Sequence, residues 1–529
     1  MSTEEQAARS IAEDDKTCLT FWEKFTYALG QTAVSLSPAL VSSWLIYYYV
    51  GRIDESTGNT FLLVSAMAMS LGGLIPRLIE AVAEPTVGYY SDKWNFRMGR
   101  RIPWIVFGTP LLALFSMILW FPPDKPTVIP PAHPMAATAA VGTQAPEAAA
   151  SPAAEEETVD LSKYPAPGRV LFSVLSFEVT PNFLWLLLFH TLFWVMYTAV
   201  VAPYLSLLPE ITPYNNERIN TSMFMAYNDV AGSVLGSAGL GVLISVFAGG
   251  LWIFGLHLDN AYKVCGLLIG VVFTVCFYTS VALVREKPHS ASKEVKFSFL
   301  SAFVETFKNP TFTPYVIASA AIRMSTDIIM AGMPFMVTRI MNLSEGYAGY
   351  LQGVIILGAA LFFPLVSSKA VARGKKSVYL FGMFLFTIAL VLLAMMKHFP
   401  ILGYPVAAVA KLIGHPMAPA WVSFAHCIGC LAICALPVAI IFVVQRPILN
   451  DVMDHDEKLT GFRREAMYNG MEGFISKPAS GIAYFIVPLL IKYLGDSPAH
   501  PWGVLSTPIA AAFFMFVGWA GFRSYPIEK

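Results

Sequence analysis

Arg77, Glu80 and Glu84 interrupt an otherwise apolar run of the chain. At about 3.6 residues per turn they fall at i, i+3 and i+7, so the guanidinium and both carboxylates share one helix face. Charges at mid-bilayer cost at least ~2.5 kcal/mol each on insertion scales, so such a face looks into a bundle, where acids pair, hold a cation or take a proton. An intramembrane acid pair is therefore the first functional candidate. Other apolar runs carry Asp229, Arg323 with Asp327, and Glu472 with Lys477. Arg323 and Asp327 stand at i, i+4; self-pairing along one helix and contact with a substrate are both open. Lys477 has no acid at i−3 or i−4, and Glu472 lies on a different face. Its ammonium is expected to seek Glu80 or Glu84 across the bundle. The alternative is a static ion-pair network in which no ion moves.

These residues need helices to position them. The chain has 529 residues, 56% hydrophobic and 13% charged, which is the composition of a polytopic membrane protein. Apolar runs near the ~20 residues that span a bilayer recur about twelve times. They fall roughly at 26–50, 61–90, 103–121, 182–208, 219–249, 261–284, 312–340, 345–368, 377–396, 419–446, 465–493 and 503–523. Lys93, Arg97, Arg100 and Arg101 follow the second run, Arg285, Lys287, Lys293 and Lys296 the sixth, and Lys369, Arg373, Lys375 and Lys376 the eighth. Cations gathered in alternate loops place those loops and both termini in the cytoplasm.

The organisation expected is a cytoplasmic tail at 1–25, a six-helix half at 26–284, a cytoplasmic linker at 285–311, a second six-helix half at 312–523 and a tail at 524–529. The first half includes a disordered extracytoplasmic loop at about 122–181, rich in Ala and Pro. In the linker, Phe297, Leu300, Val304 and Phe307 keep helical spacing, as in a helix lying on the membrane surface; a solvated linker is the other reading. Arg97, Gly99, Arg100, Arg101 is answered by Arg373, Gly374, Lys375, Lys376, an echo between the halves.

Zero net charge leaves no nucleic-acid footprint. No P-loop or dinucleotide turn is present, which disfavours an ATP-driven pump, and no soluble-enzyme signature remains. Cys427, Cys430 and Cys434 read as packing thiols, and His190 and His426 as packing histidines. Trp194, Tyr197, Tyr204 and Trp421 suit either stacking on a ligand or helix packing.

With these residues in view, Glu80–Pro85 (EAVAEP), Gly88, Asp92 and the RMGRRIPW run from Arg97 to Trp104 resemble the helix 2 signature of the glycoside-pentoside-hexuronide:cation symporters, the melibiose-carrier branch of the major facilitator superfamily. Pro203, Pro209, Glu217 and Arg218 continue the resemblance, as do the acidic turn at Asp451, Asp454, Asp456 and Glu457, then Thr460, Gly461, Arg463, Arg464, Glu465 and Lys477. It implies an all-α membrane protein of twelve helices in two six-helix halves. By position it also implies a cation site at Glu80, Glu84, Thr198 and Lys477, and a gating motif at Asp92, Arg97, Arg100 and Arg101. The family's sugar-binding acids and arginine fall near Ser35, at Val201 and near Met225 or Ala226, where this chain has none; Asp229, Arg323, Asp327, Tyr197, Tyr204 and Glu472 are the candidate substrate contacts.

The function expected is a monomeric symporter of the cell (inner) membrane, carrying a sugar or glycoside by alternating access with Na⁺ or H⁺ and without a cofactor. The alternatives are a transporter of a lysolipid or other amphipath, and a non-transporting sensor.

Overall fold

The computed structural model describes residues 19–53, 57–93, 98–130, 169–174, 177–212, 215–247, 249–253, 255–284, 306–461, 465–497 and 500–527. Among the described residues, eleven helices are long and apolar enough to cross a membrane. The expected third span is a 17-residue apolar helix, α3 (Ile102–Ile118), which opens with Pro103 in its first turn.

Before it come α1 (Phe21–Val50) and α2 (Ala66–Lys93). Helix α1 starts at a capping box: the Thr20 side chain accepts from the Glu23 amide while Glu23 returns to the Thr20 backbone. After α3 follow α4 (Pro181–Ile211), α5 (Asn215–Val234), a π-helical turn at Leu235–Gly239, α6 (Leu240–Val246) and α7 (Ala261–Ala282). The expected fifth span is therefore one path broken by a π segment, a local device that re-aims side chains. The Thr180 side chain caps α4, with Pro181 at its first position, and the Asn260 side chain caps α7.

The second set comprises α8 (Phe312–Phe335) with a π turn at Met336–Ile340, α9 (Gly346–Arg373), α10 (Lys375–Ala394), α11 (Gly403–Leu412), α12 (Pro419–Thr460), α13 (Glu465–Leu494) and α14 (Trp502–Phe522). Gly374, at φ +85°, separates α9 from α10. Helix α12 corrects the expected end near 446. It runs 42 residues, and at ~1.5 Å per residue it is roughly twice the ~30 Å hydrocarbon thickness. The residues expected to form an acidic turn, Asp451 to Glu457, are thus helical. Lys375 pairs with Asp451, and the helix stops at Gly461 with φ +75°.

Short strands were not anticipated. β1 (Arg52–Ile53), β2 (Thr60–Leu62) and β3 (Thr127–Ile129) form an antiparallel sheet, so residues 61–65 are not helical. β4 (Phe172–Val174) pairs with β5 (Phe177–Val179), and β6 (Leu251–Ile253) with β7 (Leu256–Leu258). The ends of the loop expected to be disordered at about 122–181 are consequently ordered strands; its Ala/Pro-rich centre lies outside the described residues, as do the tail before Leu19 and most of the linker helix. All three sheets lie on one face of the molecule, termed the hairpin face. The other, carrying Phe21, Arg100 and Lys375, is termed the basic face.

Helices α1 to α7 pack chiefly among themselves, α1 against α5 and α7, and α4 against α2 and α3. Helices α8 to α14 form a second group, α8 against α13 and α14, and α12 against α9 and α10. The groups meet along α2 with α13, α1 with α8, and α6 with α9.

Candidate functional site

The α2–α13 seam holds the site. Glycines bring the two helices close: a Cβ added at Gly73 would stand 2.5 Å from that of Tyr484, and one at Gly481 3.0 Å from that of Arg77. Lys477 projects from α13 into α2, its Nζ 3.0 Å from Glu80 Oε1 and 2.8 Å from Glu84 Oε2. It also donates to Thr198 Oγ1 of α4 at 3.2 Å, and that hydroxyl donates to Glu80 Oε1 at 3.3 Å. Thus Glu80, Glu84, Thr198 and Lys477, drawn from three helices, come together around one ammonium.

The two glutamates differ. Glu80 is 1% exposed and takes a second cation from Arg77 at 2.9 Å. Arg77 in turn lies flat on Trp194, 3.3 Å from guanidinium carbon to ring centroid, a cation–π contact worth ~2 kcal/mol when desolvated. Glu84 is 27% exposed, with Lys477 as its cation. One carboxylate is therefore buried between two cations, and its neighbour is partly exposed and held by one.

Trp194 reaches this arrangement through His190. The indole N–H donates to His190 Nε2 at 2.7 Å, and Nδ1 donates to Gly72 O at 2.8 Å. Both ring nitrogens are engaged, which fixes the neutral tautomer and makes His190 a support for the Arg77 platform.

The seam is closed on the hairpin side of the site. Ser42 and Tyr484 share a hydrogen bond of 2.6 Å, and Ser70 donates to Phe485 O at 2.9 Å. Further out, Tyr47 packs edge-on against Phe335, and Arg339 reaches across to Gly51 O and Thr60 Oγ1, both at 3.0 Å, while its Nε lies 3.2 Å from Asp496. Gly241 and Gly349 bring α6 against α9. Toward the basic face, a Cβ at Gly88 or Gly470 would meet nothing within 4 Å, so those glycines do not mark a close approach.

The other expected residues separate. Asp229 Oδ1 accepts from Gln31 Nε2 at 2.9 Å and from the Ser35 hydroxyl, so α5 delivers a carboxylate to the position where α1 has only a serine. Tyr197 donates to Val34 O at 2.7 Å. Tyr204 is wholly buried: Tyr204 donates to Tyr27 O at 2.8 Å, Tyr27 donates to Tyr204 O at 2.6 Å, and the rings stack. It is helix packing. Glu472 accepts from Ser319 at 2.8 Å. No ion pair joins Arg323 to Asp327 among the described residues. At the basic face Arg100 and Arg101 both reach Glu210 Oε1, at 2.6 and 2.7 Å. Arg97 lies outside the described residues, and Asp92 ends on the last turn of α2. Cys427, Cys430 and Cys434 are buried in α12, Cys430 Sγ 3.4 Å from His426.

Arg339, Tyr484 and Gly473 escaped the sequence reading. Gly473 and Gly481 flank Lys477 at i−4 and i+4, so the pattern marked the contact face. A Cβ at Gly473 would lie 2.5 Å from Glu84 Oε2.

A bundle of apolar helices in two groups, with charges held on the seam between them, is the build of a multi-pass membrane transporter. A family model described as "MFS/sugar transport protein" matches residues 26–143 and 168–500, and the chain belongs to that family. The sodium-dependent lysophosphatidylcholine symporter 1 of Mus musculus is 21% identical, over 97% of this chain and 87% of its own length. The isoprimeverose transporter of Lactiplantibacillus pentosus is also 21% identical, over 92% and 83%. The crystal structure of nucleoside transporter NupG matches the fold with a TM-score of 0.55 at 10% identity, over 96% of this chain and all of that one.

Proposed function

We propose that this transporter couples the downhill entry of a cation to the uphill import of a sugar or glycoside. The observation that carries this reading is Lys477 between Glu80 and Glu84. Its ammonium stands where a monovalent cation would stand, so ion and lysine compete for the same carboxylates. A cation entering from water meets Glu84 first, with the Thr198 hydroxyl and Glu80 behind it. Displaced, Lys477 leaves its hold on the opposite group of helices.

The basic face is read as cytoplasmic, from its Lys and Arg content. The contacts that close the hairpin face are those expected of an inward-facing state. Alternating access rocks the groups about the site, and occupancy of the glutamates biases which face closes. Cation and substrate affinities are then reciprocally linked.

The test is uptake in proteoliposomes under separate Na⁺ and H⁺ gradients. Acceleration by one gradient, abolished in Glu84→Gln, is the expected result. Gradient-driven uptake that survives this substitution refutes the assignment of Glu84.

One observation favours a second reading, a lysolipid or other amphipath. An apolar groove of about 770 Å³ opens sideways between α5–α6 and α9, lined by residues such as Ala238, Val242, Tyr350, Gly353 and Leu357. An acyl chain fits such a lining. Competition of a labelled glycoside by lysolipids separates the two.

A further inference from the structure

Ser319, Arg323 and Asp327 stand at i, i+4 and i+8 on α8 and so form one stripe. Its two ends are anchored inside the molecule. Ser319 donates to Glu472 and accepts from Gln445 Nε2 at 2.9 Å. Asp327 is buried, at 5% exposed. Arg323 lies between these ends on the same stripe and is itself exposed. Because the residues one turn before and one turn after it on this stripe are turned inside the molecule, its exposure is on the inward face of α8, not to lipid.

A guanidinium at this depth should take any acid within reach. Among the described residues no carboxylate lies within ion-pair distance of Arg323. The other acids carried by the apolar helices are directed elsewhere: Glu472 is held by Ser319, and Asp229 by Gln31 and Ser35. Asp327 is one turn away, yet its Oδ2 has no hydrogen-bond partner among the described residues. The simplest neutralisation, along the helix, is available and unused.

We infer that Arg323 is the contact for an anionic group of the substrate, a carboxylate or a phosphate, and that the transported molecule carries one. The planar fork of N–H donors matches either group in bidentate fashion, and neither a neutral hydroxyl nor a cation satisfies it. This assignment rests on the transport reading and narrows its substrate class. The same chemistry comes from an acidic sugar or from the headgroup of a single-chain phospholipid.

The experiment measures ligand binding to the purified full-length protein with two matched pairs. One is methyl β-glucuronide against methyl β-glucoside; the other is a lysophosphatidic acid against a monoacylglycerol of the same chain length. Charge-assisted hydrogen bonds are worth enough that the anionic member of one pair should bind about tenfold tighter or more. Arg323→Gln should reduce it to the level of its neutral partner, and Arg323→Lys should restore part of the difference. The responding pair tells the sugar acid from the lipid headgroup. Equal binding within both pairs, no binding by either anionic member, or a preference unchanged in Arg323→Gln overturns the assignment. Should the glutamine variant not fold, the wild-type pairs and Arg323→Lys decide. Coupling is read separately: a preferred anion whose uptake ignores Na⁺ and H⁺ gradients sinks the symport reading and leaves this one standing.

Discussion

Lys477 Nζ lies 2.8 Å from Glu84 Oε2, an ammonium from one group of helices and a carboxylate from the other. Removing one partner of such a pair leaves the other charge uncompensated in a partly dry site, at ~3 to 5 kcal/mol. In Lys477→Met the empty state carries that cost, and a bound cation relieves it. The variant should bind its coupling ion at least about tenfold more tightly, since ~1.4 kcal/mol is a factor of ten. Coupled uptake should nonetheless collapse, because the ion no longer leaves readily. Ion-dependent thermal stabilisation and proteoliposome uptake read the two effects; weaker ion binding in this variant would contradict competition between lysine and ion.

Glu80 and Glu84 should separate stability from function. Glu80→Gln strips Arg77 of its carboxylate while Arg77 stays buried against Trp194, so melting temperature and yield should fall. Glu84→Gln changes a group that water already reaches, so the protein should fold normally and lose its response to the ion. Melting curves with and without Na⁺, at two pH values, distinguish the variants. Equal destabilisation by both would mean that they form one static network.

How much of this was legible beforehand follows from what each element depends on. The α2 face was readable because charge in an apolar run has so few permitted orientations. The same logic aimed Lys477 at the glutamates from the opposite helix. Arg339 gave no such signal. It lies in the π turn at the end of α8, and its partners Gly51 O, Thr60 and Asp496 are contributed by loops that spacing rules do not place. Tyr204 misled for a related reason: a tyrosine on an apolar helix serves stacking and packing equally, and only its reciprocal bonds with Tyr27 decide. The long α12 was hidden because its last turns are polar. They leave the hydrocarbon layer and continue as helix, held by Lys375 and Asp451.

Arg339 ties both groups of helices together at the hairpin face. Arg339→Ala removes its bonds to Gly51 and Thr60 at once, so the closed hairpin face should lose population to a state open on that side. Ser70→Cys is a suitable reporter, because Ser70 is buried in the seam against Phe485. Labelling of that cysteine by a membrane-impermeant maleimide should be slow alone and several-fold faster with Arg339→Ala. Unchanged labelling would show that the aromatic and glycine contacts close the face unaided.

Those glycine contacts can be tested on their own. Helices α6 and α9 touch through backbone: a Cβ built on Gly349 would stand 2.8 Å from Gly241 Cα and 2.7 Å from Ala238 O. Backbone atoms cannot rotate away as a side chain can, so any side chain at 349 forces the helices apart. The strain exists only in the state with the hairpin face closed. Gly349→Val should therefore fold, because each group keeps its internal packing, but it should be unable to complete the cycle. The expected signature is uptake near background together with rapid labelling of Ser70→Cys. Gly353→Val is the control, one turn along the same helix, where the nearest atom is the Ala238 methyl at 3.2 Å and the fit is less tight. It should retain more uptake than Gly349→Val; the reverse order would remove the α6–α9 contact from the closing surface.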